Sequence, residues 1–359
     1  YTHGGFVNSM LKTLKGMGVD VPDELADIKD TILNLHENGE LAKSFVACPL
    51  MHGTGMWLGG FLSHLLGGCV VTTPNLGLDT QLLWKEVERV GITNIIIVGD
   101  SFAKPMVKEL DRAVAENKPY NLETLKLIYS SGVMFSADVK ASLLDHHDMV
   151  LMDAMGSSEG GMGSSVSTRA DGAATAKFRL NPGVVVVSDE GEEVIPGSGV
   201  RGLIGTSGLV PEGYYKDKEK SDATFKEFNG TRYSFPGDYA LVEADGTITL
   251  LGRGSNCINS AGEKIYPEEV EEALKLNSNV YDSLVVGLPD ERFGNKVVGV
   301  VSLVENCEID EAELISSTRE HLSGYKLPKN IIFVSEVMRA PNGKADYKWA
   351  KKVAEAELI

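Results

Sequence analysis

Gly252 to Glu271 reads GRGSNCINSAGEKIYPEEVE, and the organisation of the chain follows from it. An apolar alternation, Gly246 to Leu251, runs as a strand into Arg253. A polar turn rich in Gly, Ser and Asn comes next, and Pro267-Glu-Glu-Val-Glu-Glu then reads as the first turn of a helix. Proline suits an early helical position, and the glutamates after it complement the positive end of the helix dipole. An arginine at a strand end beside a flexible segment is what a mobile two-domain site needs. It also fits a plain linker with a surface ion pair.

Upstream the pattern alternates. Phe6 to Gly18 has helical spacing and Lys43 to Pro49 reads as a strand. Trp57 to Leu66 follows as a helix, 68–73 as a strand, Leu82 to Val90 as a helix and Asn94 to Val98 as a buried strand. Ala103 to Glu116 and Ala137 to Leu144 read as helices, with strands at 125–130 and 149–152. This is an α/β layer with a largely parallel sheet. From Phe178 to Leu251 short strands between Gly, Pro and Asp-Glu-Gly turns predict a β-rich, barrel-like subdomain. Beyond Asn256 the chain returns to α+β, with a helix from Glu268, strands at 283–287, 296–304 and 330–334, and a helix over 311–322. The boundaries are therefore 1–180, 181–255 and 256–359.

At 359 residues the chain holds two or three cores, and 43% apolar with 24% charged residues is ordinary globular composition. A net charge of -17 leaves no basic surplus for neutralising nucleic-acid phosphates. No apolar run approaches the roughly 20 residues that span a bilayer. Cys48, Cys69, Cys257 and Cys307 show no paired spacing, which points to a reducing, cytoplasmic setting. The chain opens on Tyr1 and reads as part of something longer.

Five segments can carry chemistry. In 152–161, MDAMGSSEGG, a strand empties into a turn whose Ser157 and Ser158 can hold phosphate oxygens and whose Glu159 is a hard ligand for a phosphate-bound magnesium. Its plain alternative is a helix N-cap at Ser158. In 125–134, LKLIYSSGVM, Gly132 lets a flat ligand approach the backbone. Asp238, on the turn SFPGD, either accepts from a ribose diol or is a turn aspartate. In 48–57, CPLMHGTGMW, His52 with Met56 and Trp57 can line an apolar pocket, or His52 is a core histidine. Lys344, in RAPNGKAD, can bring a point charge to developing oxyanions, or is a surface lysine.

Together, PLMHGTG, SSGV, DAMGSSE, GYYKD, PGD, GRGSNCINSAGEKIYPEEVE and PNGK occur in the order and at the approximate separations of the adenylate-forming superfamily of acyl-CoA synthetases, adenylation domains and luciferases, which the chain resembles from Tyr1 almost to its end. GDSFAKPM, SSGVMFS, MGSSEG and LLGRGSNCIN are most similar to the branch acting on fatty and steroid side-chain acids. The resemblance implies a large AMP-binding domain, incomplete here, and a mobile C-terminal lid. It implies ATP, Mg2+ and coenzyme A acting on a small-molecule carboxylic acid, with no nucleic-acid partner. By that likeness Ser131, Gly132 and Val133 with Asp153, Ala154, Met155 and Gly156 frame the adenine. Ser157 and Ser158 contact phosphate, Glu159 holds magnesium, Asp238 binds the ribose hydroxyls, Arg253 contacts ribose or phosphate, and Lys344 stabilises attack of the acyl carboxylate on ATP. Asn256 is the pivot, Gly262 meets the coenzyme A arm, and His52, Met56, Trp57 and Met134 line the acyl pocket.

The sequence departs from the family in four ways. The phosphate loop belongs before Tyr1, Asn256 replaces an aspartate, Met155 an aromatic residue and Asn259 a lysine. Two other readings remain open at this stage: loading of a carrier-protein pantetheine instead of free coenzyme A, and a silent binding protein on the same fold. Acyl chain length and oligomeric state are not legible.

Overall fold

The computed structural model describes residues 1–359 apart from Leu76, Ala174, Ala176 and Ile359. The chain forms two compact units. The first comprises Tyr1–Pro236, Val242–Thr249 and Pro341–Gly343; the second comprises Gly237–Leu241, Leu250–Ala340 and Lys344–Ile359.

In the first unit, β1 (Lys43–Val46), β2 (Cys69–Val71), β3 (Asn94–Ile97), β4 (Leu127–Ser131) and β5 (Val150–Ser157) lie in the order β2-β1-β3-β4-β5, all parallel. The Ile-rich β3 is an unbroken apolar run because both faces of the sheet are covered. One face packs Ile95, Ile97, Ile128 and Leu151 under Leu83, Trp84, Met106 and Leu143 from the helices Thr80–Glu86, Asp100–Ala115 and Ala137–His146. The other packs Tyr129 with Met10, Leu14 and Leu62 from His3–Gly16 and Leu62–Leu65. The helix expected over 57–66 begins at Thr54 and is widened to i→i+5 bonding as far as Phe61. A side chain at Gly59 would meet Val46 Cγ2 at 2.6 Å, so glycine lets this helix lie on the sheet.

Beyond β5 the direction reverses. β6 (Gly160–Ser167) and β7 (Lys177–Leu180) are antiparallel. β8 (Val184–Val187) pairs with β9 (Arg201–Ser207), and the hairpin of β10 (Phe225–Phe228) and β11 (Thr231–Ser234) joins β9 through β11. The unit division runs through β12 (Asp238–Val242) and β13 (Thr247–Arg253), the latter pairing with β7 over Thr247–Thr249. Two sequence expectations change here. The strand expected to stop at Met152 continues to Ser157, and Ser158 is no helix cap: Ser158 and Glu159 are the two loop residues of a β5–β6 hairpin.

In the second unit, β14 (Ile258–Ser260) and β15 (Glu263–Ile265) form a hairpin. β16 (Val280–Asp290) and β17 (Gly294–Leu303) are antiparallel, and β18 (Asn330–Val334) lies parallel to β17. Alternate residues face opposite ways. Val285, Val297 and Val301 pack on Val270, Leu274 and Leu314; Leu284, Val298 and Val300 pack on Ala350 and Ala354. The helix Pro267–Lys275 starts at the proline with Glu268 and Glu269 in its first turn, as its sequence dictates. Among the described residues no helix is long and apolar enough to cross a membrane.

Candidate functional site

The site in the first unit grows from two adjacent strand ends. Parallel register places Ser130 beside Asp153 and Ser131 beside Ala154, so SSG and DAMG become neighbours though 23 residues separate them. The strand β4 gives way at Gly132, whose φ of 98° suits glycine. A side-chain carbon there would lie 3.5 Å from His52 Cε1 and 3.7 Å from Thr54 Oγ1. Thr54 Oγ1 donates to the Ser131 carbonyl at 3.3 Å and lies 3.1 Å from His52 Nδ1. His52 is thereby fixed beside the glycine turn.

Residues 132–136 are held from below by β3's exit. Gly99 N–H donates to Ser130 Oγ at 3.0 Å, Asp100 N–H to the Met134 carbonyl at 2.9 Å, and Ser136 N–H to Asp100 Oδ1 at 2.9 Å. The sequence reading assigned Asp100 no role; its one signal was a Gly-Asp pair at a strand end.

Asp153 departs from its expected place. It is 2% exposed, on the helix-covered face of β5, with Oδ2 3.6 Å from the equally buried Lys140 Nζ. Burial pushes its carboxyl up to about 7 against the pull of Lys140, and burial likewise pushes the Lys140 ammonium down. The side chain is turned away from solvent, whereas Ala154 is half-buried and Gly156 exposed. Met155 is also buried, which removes it as a stacking platform. Trp57 is half-buried among aromatics, with its ring edge-on to Phe6 at 5.2 Å and to Tyr1 at 6.2 Å. A neighbouring apolar cavity of about 350 Å³ is lined by Phe6, Val7, Met10, Phe61, His64 and Leu65, and by none of His52, Met56, Trp57 or Met134.

The hairpin loop presents Glu159. Ser158 Oγ donates to Glu159 Oε2 at 2.8 Å, Glu159 N–H donates to Ser157 Oγ at 3.2 Å, and the Tyr214 hydroxyl donates to Glu159 Oε1. Burial would raise this carboxyl, but the three hydroxyls outweigh it and hold Glu159 below its ordinary value. Glu159 is therefore an oriented carboxylate. Tyr214, within GYYKD, is a further partner that the sequence reading left unassigned.

In the second unit, Arg253 Nε donates to Asp238 Oδ1 at 3.2 Å, joining the ends of β12 and β13. Asn256 closes a short 3-10 turn, and its side-chain amide donates to Glu268 Oε1 at 3.3 Å. Gly252 has φ 135°, and a side-chain carbon there would fall 2.3 Å from Glu268 Oε2. Glycine is what lets this carboxylate approach the strand end. Gly262, φ 87°, is at the exposed tip of the β14–β15 hairpin. Lys344 lies on a closed loop in which Ala340 N–H donates to the Lys344 carbonyl at 2.9 Å.

Residues 2–215 match the family model of the AMP-binding enzyme, and residues 269–344 match that of the AMP-binding enzyme C-terminal domain. The chain belongs to the AMP-binding enzyme family. The first match takes in Ser131 to Glu159, and the second ends on Lys344. Among relatives, the 3-oxocholest-4-en-26-oate–CoA ligase of Rhodococcus rhodochrous is 43% identical over 84% of this chain and 55% of its own length. A medium/long-chain-fatty-acid–CoA/3-oxocholest-4-en-26-oate–CoA ligase of Mycobacterium tuberculosis H37Rv is 43% identical over 86% and 56%. The medium-chain acyl-CoA ligase Mig of Mycobacterium avium is 35% identical over 90% and 58%. The chain thus spans little more than half the length of these curated relatives. Solved structures superpose at 19–21% identity. The anthranilate CoA ligase AuaEII with anthranoyl-AMP gives a TM-score of 0.74, and ATP-bound MatB from Rhodopseudomonas palustris 0.73, each over 92% of this chain and 64% of the other.

Proposed function

We propose that the protein is an AMP-forming acyl-CoA ligase, joining a fatty or steroid side-chain acid to coenzyme A through an acyl-adenylate. The observation that carries this reading is the 43% identity, over 84% of the chain, to a relative named as a steroid-acid CoA ligase. The chemistry supports it. A carboxylate is a poor electrophile, and coupling it to AMP supplies a leaving group that a thiolate can displace. Catalysis then rests on alignment and charge stabilisation, which backbone turns and a few fixed charges can provide.

In this reading the turn Ser131-Gly132-Val133 and the backbone of Ala154 to Gly156 flank the adenine. The open φ-positive turn at Gly132 fits a flat ring. Ser157 and Ser158 meet phosphate oxygens. Glu159, ionised and braced by Tyr214, fits a phosphate-bound magnesium, which needs one or two protein carboxylates. Magnesium there would neutralise phosphate charge. Asp238, oriented by Arg253, accepts from the ribose hydroxyls. Lys344 donates to the transition state of adenylate formation, the segment at Asn256 is the pivot between the two half-reactions, and Gly262 meets coenzyme A. His52 and Met134 border the acyl end. A cytoplasmic location suits the four free thiols.

The test is AMP release by the intact protein with ATP, coenzyme A and a panel of C2 to C20 and steroid acids. Acid-dependent AMP and thioester in equal amounts are expected. AMP release with none of the acids overturns the ligase reading.

A further inference from the structure

The Lys344 hairpin has a buried ionic root that the proposed function does not use. The hairpin closes where Arg339 bridges Ala345. At one foot, Arg339 donates from Nε and Nη2 to the two oxygens of Asp282 on β16, at 2.7 Å each, and both side chains are largely buried. At the other foot, Tyr347 opens the helix Tyr347–Leu358, and its hydroxyl is buried beside the carboxyls of Glu271 and Glu268. Glu271, 5% exposed on the helix Pro267–Lys275, accepts the Val285 N–H at 2.9 Å. Each foot is thus set against a different element of the second unit, and the Arg339 foot is held with fixed geometry by its two bonds to Asp282.

Stability alone does not account for this arrangement. Burying charged groups carries a desolvation penalty that their attraction roughly cancels, and apolar residues of similar volume commonly do as well. A two-bond guanidinium–carboxylate pair instead specifies direction. We propose that Arg339, anchored by Asp282, is a positioning residue that aims Lys344, with Tyr347 beside Glu271 as the second support. The inference rests on the reading of Lys344 as the lysine of adenylate formation.

The experiment measures the two half-reactions separately in the intact protein: acid-dependent ATP–pyrophosphate exchange, and thioester formation from preformed acyl-AMP. The variants are Lys344→Ala, Arg339→Met, Arg339→Lys, Tyr347→Phe and Arg339→Met/Lys344→Ala, with Tm as the folding control. Arg339→Met is expected to lower the exchange kcat about tenfold with KM for ATP unchanged, and Arg339→Lys to recover part of the loss. That loss should vanish in the Lys344→Ala background, while thioester formation from acyl-AMP stays intact. An equal loss with and without Lys344 overturns the positioning role. Unchanged exchange in Lys344→Ala sinks the lysine reading itself, a separate outcome. Should Arg339→Met unfold, Tyr347→Phe, which removes one hydroxyl, makes the same comparison on the Lys344→Ala background.

Discussion

Asp153 and Gly132 are neighbouring residues whose sequence signals have unequal worth. Glycine at φ 98° and a turn that must bend away from a strand end are legible together, because the conformation itself demands the residue. Gly132→Ala should therefore cost about 1–2 kcal/mol of backbone strain and set a methyl against His52 in ordinary contact. Isothermal titration should show weaker ATP binding, and unchanged affinity would remove Gly132 from the nucleotide site. Asp153 was misleading because the residues around it, Leu151, Met152, Ala154 and Met155, are apolar at both parities of the strand, so the parity of the carboxylate could not be read. Its partner Lys140, 13 residues earlier on a helix, gave no signal at all. Asp153→Ala leaves a buried ammonium without its carboxylate, at an expected cost of about 3–5 kcal/mol. Urea unfolding checks it; a shift below about 1 kcal/mol would mean the pair acts like a surface ion pair.

At the scale of elements, the helix Pro267–Lys275 was readable to within a residue at its start, since proline and the following glutamates suit the N-terminal turn. What periodicity could not disclose is that Glu271 turns inward. Burial first, then Glu268, raise its carboxyl to about 8, against the Val285 N–H, Lys275 and Arg339. The folded protein therefore keeps this proton after the unfolded chain, at about 4.5, has released it. Stability from Glu271 is full below about 4.5 and is lost as pH rises through about 8. Glu271→Gln should flatten the fall in Tm across that window, and an unaltered slope would assign the fall to other groups. The β5–β6 hairpin shows the opposite failure. Ser-Ser-Glu is shared by helix caps and tight hairpins, and only pairing with Gly160 and Gly161 decides between them. Glu159 was nevertheless singled out, because a carboxylate among hydroxyls is a chemical signal independent of the element. Tyr214→Phe removes one of its three hydroxyl partners and should raise the magnesium concentration for half-maximal ATP binding several-fold; an identical magnesium titration would sever Tyr214 from the site.

For the molecule as a whole, the order α/β, then β-rich, then α+β was visible because hydrophobic period and turn chemistry change along the chain. The Gly252–Glu271 stretch is held at three points. Gly252 admits Glu268, Asn256 bonds to the same carboxylate, and Arg253 holds Asp238. If this segment is the pivot of the cycle, Asn256→Pro, which fixes φ and removes an N–H, should abolish thioester formation while adenylation survives. Equal loss of both half-reactions would remove the pivot. All of these assignments depend on an acyl-adenylate, which isotope transfer tests most directly. With a carboxylic acid labelled with 18O, ATP and coenzyme A, the account predicts AMP carrying one acid-derived 18O for each thioester formed. Thioester formed with unlabelled AMP, or with ADP as the nucleotide product, would contradict it.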